Sequence, residues 1–212
     1  MSARTTMARH DDRAQGDRAM LDALLDEVWI GHVAVVAEAG HPMVLPTLLA
    51  RDGDRVLLHG STGSGWMRHV AAGAEVSLAV TAADAIIVAR SAYESSMRYR
   101  CAVLFGRCSV LEDDEKLAAL DLLTEAIIPG RTAEVRRPTR KEIAATIVLA
   151  LPITEWSMKA NSNWPDDPAE DVAADAWGGV LPMRTQYYAP RAAPDLRDGI
   201  EVPESVRRLT TS

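Results

Sequence analysis

The chain has 212 residues, 48% hydrophobic and 25% charged, close to ordinary globular usage, so a real apolar core is available. Its net charge of −7 excludes general nucleic-acid binding, which needs an excess of Lys and Arg, but leaves room for a local basic pocket. Cys101 and Cys108 are the only cysteines, and their odd spacing points them to opposite faces of any shared strand, which fits free thiols in a reducing compartment rather than a bridge.

No run of about eighteen apolar residues occurs, so no membrane span is expected. Residues 1–16 are polar and mixed in charge, with no signal-peptide core, and read as a disordered arm. A cytoplasmic location is the expectation.

From Asp17 the apolar positions Met20, Leu21, Leu24, Leu25 and Val28 recur at helical spacing and predict a helix that stops near Gly31. The period then changes. Strands are predicted at 32–38, 43–51 and 55–59, joined by turns at Gly40 and at Asp52-Gly53-Asp54. Tight turns make this an antiparallel meander and exclude a Rossmann unit.

A Gly/Ser-rich loop and a short helix at 66–72 follow, then strands at 75–81, 85–91 and 99–111. A helix from Asp113 carries Leu117, Leu120, Leu123 and Ile127 along one stripe and ends at Pro129-Gly130. Thr139 and Glu142 are spaced as a capping box. A last strand covers 147–158, with Pro152 pointing to an edge or a bulge. The expected organisation is therefore a domain at 17–160 and an extended tail at 161–212, with one ordered island around 176–183. The class is mainly β with inserted helices, a small antiparallel barrel of about six strands.

The segment richest in chemistry is His59-Gly60-Ser61-Thr62-Gly63-Ser64-Gly65-Trp66. A strand ends, small hydroxyl and glycine residues follow, and a helix begins. Unpaired N–H groups at a helix start carry partial positive charge, so phosphate can dock there without a lysine. The same composition also suits a plain Gly/Ser loop with an ordinary cap.

The order of these motifs resembles the pyridoxamine 5'-phosphate oxidase-like split barrels, in the flavin-nucleotide-binding branch. The residues that carry the resemblance begin with Pro46-Thr47, His59-Gly60-Ser61, Ala89-Arg90-Ser91, Tyr99-Arg100 and Phe105-Gly106-Arg107. Glu115-Lys116, Pro129-Gly130-Arg131, Lys141-Glu142, Ser157-Met158-Lys159 and the run from Trp177 to Pro182 complete it. The resemblance implies a six-stranded FMN-binding split barrel, a homodimer with FMN at its interface, and oxidoreductase activity on a small organic molecule. It also implies flavin contacts at Pro46, Thr47, Leu48, His59, Gly60, Ser61, Ser64, Trp66, Met67, Arg68, Arg90 and Arg100, with Lys159 and Trp177 approaching from either subunit. The flavin would do the redox chemistry and the protein would position it. No acid–base pair or nucleophile triad stands out, so no catalytic residue is assigned.

Individual residues keep two readings. Arg100 precedes Cys101-Ala102-Val103-Leu104, and a long cation in such a strand needs an anionic partner, for which phosphate is the favoured one; Arg90 has a similar setting. Arg98 shares the strand parity of Arg100. His59 either faces the flavin or caps a strand end. Trp66 and Trp177 read as packing more than stacking. Haem is the weaker alternative cofactor, with His59, His69 and His32 as candidate axial ligands. A diverged barrel that has lost its cofactor is the third reading.

Overall fold

The structure is a computed structural model that describes Thr5 and residues 14–210, so most of the expected N-terminal arm lies outside the described residues. Its described end is β1 (Ala14–Gln15), which pairs with Lys159 and Met158. Asp17 then caps α1 (Arg18–Glu27) by accepting a hydrogen bond from the Ala19 N–H, and the stripe Leu21, Leu24 and Leu25 is buried.

The meander follows as β2 (Ile30–Val36), β3 (Pro42–Asp52) and β4 (Arg55–Ser61), each antiparallel to the next. After α2 (Gly65–Ala71), β5 (Glu75–Val88) and β6 (Ser96–Arg107) form the longest pairing of the molecule. The strands expected at 75–81 and 85–91 are thus one continuous element. A register shift between Ala83 and Ala85 kinks it, which is why its periodicity looks broken in the sequence.

The two-residue β7 (Ser109–Val110) leads to α3 (Asp113–Ile127), a 3₁₀ turn (Arg131–Ala133) and α4 (Arg140–Ala144). The capping box is present in both directions, Thr139 accepting from the Glu142 N–H and Glu142 from the Thr139 N–H. The strand expected at 147–158 divides into β8 (Thr146–Pro152), paired with β4, and β9 (Glu155–Asn161), paired with β6. Pro152 ends β8, and the chain turns there from one part of the sheet to the other.

The sheet runs β1-β9-β6-β5-β2-β3-β4-β8-β7. It is a curled, mainly antiparallel half-barrel with few helices, the split-barrel architecture expected, with seven longer strands and the short β1, β7 and a further short strand of the tail among the described residues, where about six were expected. Val33, Leu49, Val56, Leu58, Leu78, Leu104 and Leu151 fill its interior. A second cluster, Leu57, Leu111, Ala119, Leu123 and Val148, lies between α3 and the outer side of the sheet. Among the described residues no helix is long and apolar enough to cross a membrane.

Beyond Asn161 the chain forms α5 (Ala169–Val172), β10 (Gly179–Pro182) and α6 (Glu204–Thr210). The predicted island is real: β10 pairs with Ala85–Val88 of β5. Every residue from Leu181 to Val202 is exposed. Then α6 seats against the 3₁₀ turn, where the Ser205 N–H and hydroxyl both donate to the Glu134 carboxylate.

Candidate functional site

Strand alternation decides which way the end of β4 points. Leu57 faces the cluster under α3, so His59, two residues on, lies on that side too. His59 lines a pocket of about 420 Å³ together with Leu48 of β3, Leu120, Leu123, Thr124 and Ile127 of α3, and Arg136 and Arg137 of the loop before α4. The His59 Nδ1 is buried without a hydrogen-bond partner, a situation that costs roughly 1–3 kcal/mol if nothing fills it. Burial also lowers the pKa of this imidazole, which favours the neutral ring. At the rim, Arg136 is bonded to Glu142 (2.9 and 2.6 Å) and Arg137 to Asp121 (2.5 Å).

A second pocket, of about 390 Å³, is lined by Met43, Gly65, Trp66, Arg68, His69 and the 37–39 turn. The two linings share no residue. The sequence-predicted contacts are thereby divided, Leu48 and His59 to the first pocket and Trp66 and Arg68 to the second.

In sequence the Gly/Ser loop lies between His59 of the first lining and Gly65 of the second. Here the structure narrows the phosphate reading. The Thr62 N–H donates to the Ala145 carbonyl (2.9 Å), the Gly63 N–H to the Ser61 hydroxyl (3.1 Å) and the Ser64 N–H to the Ser61 carbonyl (2.9 Å). These three amides hold the turn together. Ser64 is the N-cap of α2 but makes no side-chain cap bond, and Arg68 donates to the Thr62 carbonyl (3.3 Å).

Several expected contacts have other roles. Met67 is fully buried in the barrel, and a Cβ at Gly60 would lie 3.0 Å from its Cγ, so Gly60 and Met67 pack closely against each other. Arg100 donates to Asp84 (2.6 Å) and to Glu27 (2.8 and 3.0 Å), and these carboxylates push its pKa further up. The anion it needs is supplied by the protein. Arg90 is bonded through both its N–H and its guanidinium to Asp167 (2.8 Å each), whose side chain is 1% exposed. Arg98 donates to the Asn163 carbonyl (2.9 Å) and lies 5.0 Å over the Trp164 ring.

Trp177 is exposed and covers Gly179, while Gly178 leaves space for the Arg90 guanidinium; both glycines serve the docking of β10. Lys159 is in β9 opposite Cys101. Pro46 and Thr47 lie opposite His32 and Gly31, Pro46 being exposed. The α3 and 132–138 lining of the larger pocket was not legible, because a helix stripe has the same spacing whether it covers a core or a cavity.

Residues 17–160 match the family described as pyridoxamine 5'-phosphate oxidase. Among solved structures the chain is similar to the FAD and heme binding protein from Mycobacterium smegmatis. The two are 50% identical with a TM-score of 0.89, covering 93% of this chain and 97% of that one. It is also similar to the flavocytochrome Anf3 from Azotobacter vinelandii, 33% identical with a TM-score of 0.89, covering 98% and 97%. A conserved hypothetical protein from Mycobacterium tuberculosis shares the fold at 12% identity and a TM-score of 0.55, over 78% of this chain and 99% of that one. No curated protein matches.

Proposed function

This chain belongs to the pyridoxamine 5'-phosphate oxidase family, and from that premise we propose that it is a redox protein carrying a flavin and a haem, the flavin being FAD. The observation that carries the reading is its 50% identity, over nearly the whole of both chains, to a protein described as binding FAD and heme. The likeness to a flavocytochrome supports the same pairing. Two pockets with separate linings are consistent with two cofactors. The residues suit such groups: aliphatic walls and a partnerless imidazole nitrogen in one pocket, an indole and a guanidinium in the other. When bound, the flavin would exchange electrons singly or in pairs and the haem singly; the protein would orient both and exclude water.

The family match by itself favours a second reading, FMN-dependent oxidation or reduction of a small organic molecule at a homodimer interface. A homodimer serves both readings. It is supported by an exposed apolar face on β2 and β3, where Ile30, Val36 and Val44 are 58, 60 and 63% exposed. A cytoplasmic location is supported by two free thiols.

Cofactor released from purified, reconstituted protein separates the readings. FAD with a pyridine haemochrome near one haem per chain supports the first. FMN without haem, with turnover of a small molecule, replaces it by the second.

A further inference from the structure

We propose that the tail reaches a second copy of this chain, residues 183–191 of each protomer lying on the acidic 164–177 segment of the other. The assignment rests on the dimer reading above and concerns residues outside 17–160, the span of the family match. The tail is fastened to its own chain at both ends, by β10 and by α6, and its residues between them are exposed. Leu181, Met183, Tyr187, Tyr188, Leu196 and Ile200 keep 38–78% of their surface open to solvent. Held in one extended course, such a stretch loses backbone entropy without burying the apolar surface that would offset the loss. A partner supplies the missing contact.

Charge identifies that partner. Residues 183–191 carry Arg184 and Arg191 and no acid, whereas residues 164–177 carry five acids and no Lys, Arg or His. Asp167 holds Arg90, and Trp164 lies under Arg98, so the acidic segment is seated beside β5 and β6. Among the described residues its other acids, Asp166, Glu170, Asp171 and Asp175, enter no ion pair, and neither do Arg184 and Arg191. Elsewhere charges are matched: Asp26, Asp52, Asp84, Asp121 and Glu142 each hold an arginine. Within one chain these opposite charges stay apart. Between two chains related by a two-fold axis, each tail meets the other's acidic segment and both contacts form at once. Both segments border the face inferred for the dimer. Leu181 extends across the sheet the exposed row of Ile86 and Met97, its neighbours in register. Tyr187 sits 6.2 Å from the Trp29 ring, and Trp29 directly precedes the exposed Ile30 of that face. Trp164 and Trp177, both exposed, offer ring surface to an incoming guanidinium or tyrosine.

The test begins with the mass of the wild-type chain over a dilution series in the analytical ultracentrifuge. It is compared with Arg184→Glu/Arg191→Glu, with Glu170→Lys/Asp175→Lys, and with the chain carrying all four changes; far-UV circular dichroism checks folding. Either reversal alone should raise the dimer's dissociation constant by about tenfold or more, since several exposed pairs become like-charged in two symmetric copies. All four together should bring it back near the wild-type value, because the signs are exchanged but still complementary. Position is read separately with Arg191→Lys, prepared as light and heavy-nitrogen chains, equilibrated together and coupled by a carbodiimide. Peptides joining position 191 to an acid of 164–177 should include light paired with heavy. Should a reversal fail to fold, this cross-link decides alone. A dimer indifferent to the reversals overturns the assignment and leaves the dimer standing, as does a dimer whose cross-links are absent or join light only to light and heavy only to heavy. A monomeric wild type overturns it together with the reading beneath it.

Discussion

Arg100 sits in β6 with a carboxylate on either side, Asp84 from the β5 kink and Glu27 from the end of α1. The sequence argument that such a cation needs an anion was right in kind. Which anion could not be read, because both partners are distant in the chain, Asp84 reaching it from the bulge and Glu27 from the end of α1. Arg100→Gln should therefore cost about 1–2 kcal/mol, a few charge-assisted bonds discounted for partial exposure, and lower Tm by several degrees. Calorimetry checks the first effect; a flavin titration should be unchanged, whereas a phosphate ligand would weaken it. Cys108 offers a second test. Burial pushes its thiol up to about 12, so at pH 8 it should stay unmodified by a thiol reagent until denaturant is added, which a time course of labelling reads directly.

Elements were legible where period and punctuation agree. The helix from Asp17, the meander, α3 and the capping box are all where the sequence places them, since each depends on neighbours within a few residues. The long β5 and the division of 147–158 were not, because a bulge and a change of strand partner are decided by distant pairing. The cap of α4 makes a pH prediction. The Arg136 guanidinium, then the Thr139 N–H and hydroxyl, hold Glu142 down to about 2. A depressed carboxylate contributes stability that is complete above the ordinary range near 4.5 and is lost as pH falls through about 2. Carbon-detected NMR should find Glu142 ionised at pH 3.5, with its shift moving only at lower pH. Arg136→Ala should move that midpoint up toward 4.5.

At the scale of the molecule, the family and its fold could be read from an ordered series of short motifs, while the division of the site into two pockets could not. His59 and Leu48 are eleven residues from each other and far from α3 in sequence, and only the packing of α3 on the sheet encloses the space between them. The proposed dimer makes the exposed β2–β3 face its test. Val44→Glu places a charge at its most exposed apolar position, and light scattering should register a monomer in place of a dimer. An unchanged mass would move the interface elsewhere.

The seat of α6 bears on entry to the larger pocket. Glu134, which takes both donors from Ser205, immediately precedes Val135, Arg136 and Arg137, three residues of the rim. Ending the protein before Glu204 removes that fastening while leaving the barrel's own pairing intact. Ligand release from the shortened protein should quicken in stopped-flow traces, with melting of the sheet little altered: the terminus would act as a hasp on a door that it does not line.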